Sequence, residues 1–95
     1  MENEVKTYII TYDLKAPGRN YDALYRLLGS WNAARIAESV WIAQLTATSS
    51  AVRDAMKAVT DPNDLIAVFE LTPNAQWAVS GANPAGLAKL KQLVP

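Results

Sequence analysis

The chain has no cysteine and no histidine. That excludes disulfides, thiol nucleophiles, imidazole general bases and the usual structural zinc sites. It also lacks net charge: nine Lys and Arg balance nine Asp and Glu. A neutral chain is not steered to nucleic acid by its overall field, and near-zero charge permits self-association. No stretch approaches the ~18–20 apolar residues that a membrane span needs, so no membrane helix is expected. Met1-Glu2-Asn3-Glu4 is acidic and no apolar run follows, so no secretory leader is expected and the expected location is cytoplasmic.

What is present is a chain of 95 residues, 51% hydrophobic. That excludes ordinary disorder and gives one domain, 1–95, with a modest core. Residues 5–14, VKTYIITYDL, read as a strand with Tyr8, Ile10, Tyr12 and Leu14 on one face and Val5, Thr7, Ile9, Thr11 and Asp13 on the other. KAPGRN, 15–20, is a loop, with Asn20 placed to cap a helix. Tyr21, Leu24, Tyr25, Leu28 and Trp31 recur at helical spacing, and Gly29 is the expected stop. Residues 33–46 are extended, either as one bent strand or as two strands meeting near Glu38-Ser39. Ser49 or Ser50 is expected to cap a second helix whose buried face holds Val52, Ala55, Met56 and Val59. Asp61-Pro62-Asn63-Asp64 signals a turn, and LIAVFEL, 65–71, a further strand.

The order β-α-β-β-α-β predicts an α+β, ferredoxin-like βαββαβ sandwich, with a core at 5–71 and a tail at 72–95. Two helices cover one sheet face only. Because the strands are apolar or β-branched on both faces, a second copy is expected on the other, against Thr7, Ile9, Thr11, Ile66 and Val68. In the tail, QWAVS (76–80) is a short edge strand or extended arm. Asn83-Pro84 opens a short helix with Leu87, Leu90 and Val94 on one face, expected to pack on the dimer.

Four segments carry a resemblance. TYIITYDL (7–14) looks like the first strand of the Cas2 family of CRISPR-associated proteins, with its Tyr-Asp ending. NYDALYRLLGSWNAARIAESVW (20–41) looks like its first helix and second strand, closing on Ser39, Val40 and Trp41. SSAVRDAMKAV (49–59) looks like its second helix, and DLIAVFEL (64–71) its fourth strand. Among relatives, the chain is most similar to small bacterial proteins labelled SinR-like. The resemblance implies a ferredoxin-like homodimer, with Asp13 matching the strand-end acid described in several members as a metal ligand for RNA or DNA cleavage. Other members bridge DNA without cutting it. Many members carry arginines just beyond that acid, where this chain has Lys15-Ala16-Pro17-Gly18-Arg19.

Asp13 has two readings. It is a loop-capping side chain, or it is a ligand for Mg²⁺ or Mn²⁺, paired with its copy across a dimer axis. In the second case it is catalytic, with Ser39 orienting water or phosphate beside it, and the bound cation would make a nucleophile of water. Glu38 and Glu70 are possible additional carboxylates. Lys15 and Arg19 are expected phosphate contacts, and Tyr21 an exposed stacking ring, as Trp77 is in the tail. Trp41, in phase with Ala43 and Leu45, is expected to be the aromatic most costly to truncate. The functional expectations are a Cas2-like, metal-dependent endonuclease acting on RNA or DNA, a non-catalytic dimeric adaptor for nucleic acid or a protein partner, or a toxin–antitoxin-related protein.

Overall fold

In the computed structural model, which describes residues 4–15 and 20–95, alternation in the first strand is resolved into two separately buried faces. β1 (Lys6–Asp13) pairs antiparallel with β3 (Val40–Leu45) on one side and β4 (Leu65–Leu71) on the other. β2 (Ala34–Ala37) pairs antiparallel with β3, so the sheet runs β2-β3-β1-β4. With α1 (Asp22–Ser30), α2 (Ser49–Lys57) and α3 (Pro84–Leu93), the described residues form an α+β domain of four antiparallel strands and three helices. None of these helices is long and apolar enough to cross a membrane.

Leu24 and Leu28 of α1 and Val52 and Met56 of α2 bury Tyr8, Ile10, Tyr12 and Ala43 on one sheet face. The pairings Ile10↔Val68 and Tyr12↔Ile66 put Ile66 and Val68 on this same face, among the residues packed against that cluster. The expectation that they face a partner is therefore corrected. Leu65, Ala67, Phe69 and Leu71 share the face of Thr7, Ile9 and Thr11.

Residues 33–46 form two strands with Glu38-Ser39 as the corner, and the pairing is irregular between Arg35 and Ala37. Neither corner residue takes a positive φ, so the turn needs no Gly or Asn. The cap position of α1 is Tyr21 rather than Asn20; Asn20 lies one residue earlier, its side-chain oxygen accepting from Asp22 N at 2.8 Å. α1 runs past Gly29 and stops at Asn32, whose φ is 55°. Asn32 N donates to Gly29 O at 2.9 Å and Ala33 N to Leu28 O at 3.0 Å, the paired closure of a Schellman motif. α2 is capped by Thr48 rather than Ser49 or Ser50: Thr48 Oγ1 accepts from Ala51 N at 3.1 Å.

The tail departs most from expectation. Residues 76–80 join no strand, and α3 lies on this chain's own second sheet face. Leu90 and Val94 are buried there with Ile36 and Ile42, and Ile9, Val40, Leu71 and Trp77 pack around them. Trp77, far from being a free platform, is half-buried and donates Nε1–H to Val94 O at 2.6 Å, while Asn83 N donates to Ile36 O at 2.9 Å.

Asp64 fastens the end of the fold where β1 leaves the sheet. Its carboxylate accepts from Lys15 N at 2.6 Å, Asp61 N at 2.7 Å and Tyr21 Oη at 2.9 Å, tying the loop after β1 to α1 and to the turn before β4. Removing a charged acceptor from several donors leaves them unmatched. Asp64→Ala is expected to cost about 2 kcal/mol in urea denaturation, with Asp64→Asn recovering part of it. An unchanged midpoint for Asp64→Ala would show the clamp to be idle.

Candidate functional site at the end of strand β1

The sequence places a tyrosine and an acid at the last two positions of β1, and antiparallel pairing brings the β2–β3 corner alongside. Tyr12 N donates to Ser39 O at 3.2 Å. Tyr12 points into the core, where Oη donates to Glu38 O at 3.3 Å and accepts from Trp41 Nε1–H at 3.0 Å. Asp13, one residue on, turns outward. A cavity of about 300 Å³ opens between these elements, lined by Tyr12, Asp13, Leu14, Tyr25, Glu38 and Ser39.

Asp13 and Ser39 thus share one cavity, and Glu38 joins them. Lys15 lies beside Asp13, its Nζ 2.8 Å from Oδ2, with both side chains more than half exposed. The hydrogen bond and the opposite charge of Asp13 raise the Lys15 pKa above its ordinary value, and exposure to water keeps such a pair weak. Tyr21 is set apart: it is half-buried, its hydroxyl held by Asp64, so it braces the loop rather than offering an open ring. Arg19 lies outside the described residues. Glu70 is at the other end of β4 from the cavity, paired with Tyr8.

Two side chains that sequence reasoning did not select shape this site. Tyr25 lines the cavity and is 41% exposed, although its spacing assigned it to the buried stripe of α1. Arg35, from β2, stacks its guanidinium over Trp41 at 4.8 Å and Tyr25 at 5.4 Å. Its Nε donates to Glu38 O at 3.0 Å and Nη2 reaches Tyr12 Oη at 3.5 Å. Partial burial opposes its charge, but the oxygens of Tyr12 and Tyr25 outweigh that and raise its pKa, so it stays cationic. This cation between rings fixes the corner that carries Glu38 and Ser39. The signal was the Arg35↔Trp41 pairing, visible only once the hairpin register is known.

Among the described residues no group of three or more Asp, Glu, His or Cys gathers as a metal cage. Two acidic residues and a serine lining one cavity still suit a hard cation that keeps several waters. No protein-family model matches the chain, and no curated protein or solved structure matches it.

Proposed function

We propose that this chain is a Cas2-like, homodimeric protein of ferredoxin-like fold that acts on the phosphodiester backbone of RNA or DNA through the cavity at the end of β1, as a metal-dependent endonuclease. The observation that carries the reading is that Asp13, at the end of β1, and Glu38 and Ser39, at the β2–β3 corner, line one solvent-reaching cavity. The β2-β3-β1-β4 order with two helices on one face supports the fold assignment.

Asp13 and Glu38 would hold Mg²⁺ or Mn²⁺ there, and the bound ion would lower the pKa of water and neutralise charge on the phosphate. Ser39 can orient a phosphate oxygen or water by its hydroxyl. Lys15, paired with Asp13, is placed to exchange that carboxylate for a backbone phosphate, a contact that positions without reading bases.

A melting series and a cleavage assay on RNA and DNA, with and without Mg²⁺ or Mn²⁺, test this. Metal at ten times its Kd is expected to stabilise the parent by about 1.4 kcal/mol, roughly 5–10 °C in a domain of this size. The shift and any cleavage should vanish in Asp13→Ala. If metal moves neither curve and nothing is cut, the endonuclease reading fails. The Asp13–Lys15 ion pair favours a second reading in that event, because a carboxylate already neutralised by its neighbour leaves a surface for binding rather than cutting. A non-catalytic dimeric adaptor would then bind RNA, DNA or a protein without metal.

A further inference from the structure

The most apolar strand of the molecule is the one least covered. β4 is the outermost strand beside β1, and none of its seven residues is buried. Leu65 is 54% and Phe69 57% exposed on the face shared with Ile9. Ile66 and Val68 point toward α1 and α2 yet are only half-buried, and a cavity of about 130 Å³ opens between them and Ser49, Ser50 and Arg53 of α2. Residues 65–69, LIAVF, contain no charge, no Pro and no Gly. Lone edges of this kind template pairing with other chains, and proteins blunt them with Lys, Pro, bulges or cover. The opposite edge is managed in that way: β2 has four residues, an irregular register and α3 packed over its face.

We propose that β4 joins two copies of this chain edge to edge, in antiparallel register about Ala67, so that the two sheets continue as one. The strand is self-complementary in this register. Ala67, the smallest side chain, meets its own copy on the axis. Leu65 meets the second copy's Phe69 on one face, and Ile66 meets its Val68 on the other, so apolar side chains oppose each other throughout. The paired stretch ends at Glu70, opposite the second copy's Asp64, whose carboxylate is turned back onto Lys15 N, Tyr21 Oη and Asp61 N. α3 sits chiefly over β2 and β3 and touches β4 at Leu71, leaving Leu65 and Phe69 exposed. The contact rests on the homodimer reading and replaces packing of sheet faces with pairing of sheet edges. Each half keeps its own cavity at Asp13.

The absence of cysteine makes the test specific. In an antiparallel pair, directly opposed Cα atoms lie about 4.5–5.5 Å apart, within disulfide reach. The parent is expected to sediment as a dimer at micromolar concentration. Ala67→Cys should oxidise to a covalent dimer under mild oxidant, whereas Thr11→Cys, one strand inward on the same face, should not. A dimer that cross-links through Thr11→Cys but not Ala67→Cys overturns the edge contact and leaves the homodimer standing; a monomer overturns both. A second pair of variants uses side chains that are already exposed. L65K/F69E places opposite charges across the axis and L65K/F69K like charges. The former should dimerise about tenfold more tightly, and equal dissociation constants would overturn the register.

Discussion

Tyr8→Ala is expected to unfold a large fraction of the protein at 37 °C. Tyr8 is 1% exposed, lies in an inner strand beneath α1 and α2, and is the largest fully buried side chain among the described residues. Truncating a buried aromatic side chain to alanine costs about 3–5 kcal/mol, against a total stability of roughly 5–14 kcal/mol for a chain this long. The melting temperature should fall by at least about 12 °C. Tyr8 also donates to Ala47 O at 2.6 Å, fastening the segment that leads into α2. Tyr8→Phe keeps the ring and removes only that bond, so about 1 kcal/mol is expected. Trp41→Ala should be the milder aromatic truncation, because Trp41 is half-buried and its ring is shared between the core and Arg35. Calorimetry on the three variants checks the ranking. A Trp41→Ala variant less stable than Tyr8→Ala would reverse it.

Gly86→Ala is expected to lift α3 from the sheet. Gly86 is buried where the helix meets β2, and a Cβ there would run into the Arg35 carbonyl and the Ile36 Cα. All of these are backbone atoms, so no flexible side chain can swing away. Docking should weaken by about 3 kcal/mol or more, at the upper end of what overpacking costs. The cluster on the α1/α2 face is separate and should persist. Limited proteolysis should cut the variant between Ser80 and Pro84 faster than the parent. Trp77 fluorescence should shift red as its bond to Val94 O is lost, while α1 and α2 still contribute to the circular dichroism. Gly29→Ala is the control: nothing lies within 4 Å of a Cβ at that position. Equal cleavage of Gly86→Ala and parent would show that α3 accommodates the methyl group.

Both results depend on which face a side chain joins, and that is where reading the sequence succeeds and fails. Alternation in residues 5–14 places Tyr8, Ile10 and Tyr12 together, and helical spacing places Leu24 with Leu28 and Val52 with Met56. Each is a local regularity, and all of these residues are buried together. The same alternation divides β4 correctly into two sets, yet which set meets the helices depends on the register against β1, a relation between positions more than fifty residues apart. Thr48, Ser49 and Ser50 are three hydroxyls in a row, and the choice of cap turns on which residue stays extended. At the site, the strand-end acid and the corner serine are legible as residue types. The cation held between Tyr25 and Trp41 is not, because it takes three elements to make it. The apolar stripe of the tail signals that α3 must be covered, and says nothing of whether the cover is the same chain.

β1 takes its two neighbours from later in the chain, β3 at residues 40–45 and β4 at residues 65–71. During synthesis it emerges first and has nothing to pair with. Among the described residues the β2–β3 hairpin is the only strand contact made from adjacent sequence, and the sheet is not complete until β4 has left the ribosome. Loop closure must precede the contacts that reward it, which slows assembly. Until β3 follows, residues 6–13 have no strand to pair with, and until β4 follows one of their edges stays open, the interval in which a nascent chain is most open to chaperones and to mispairing.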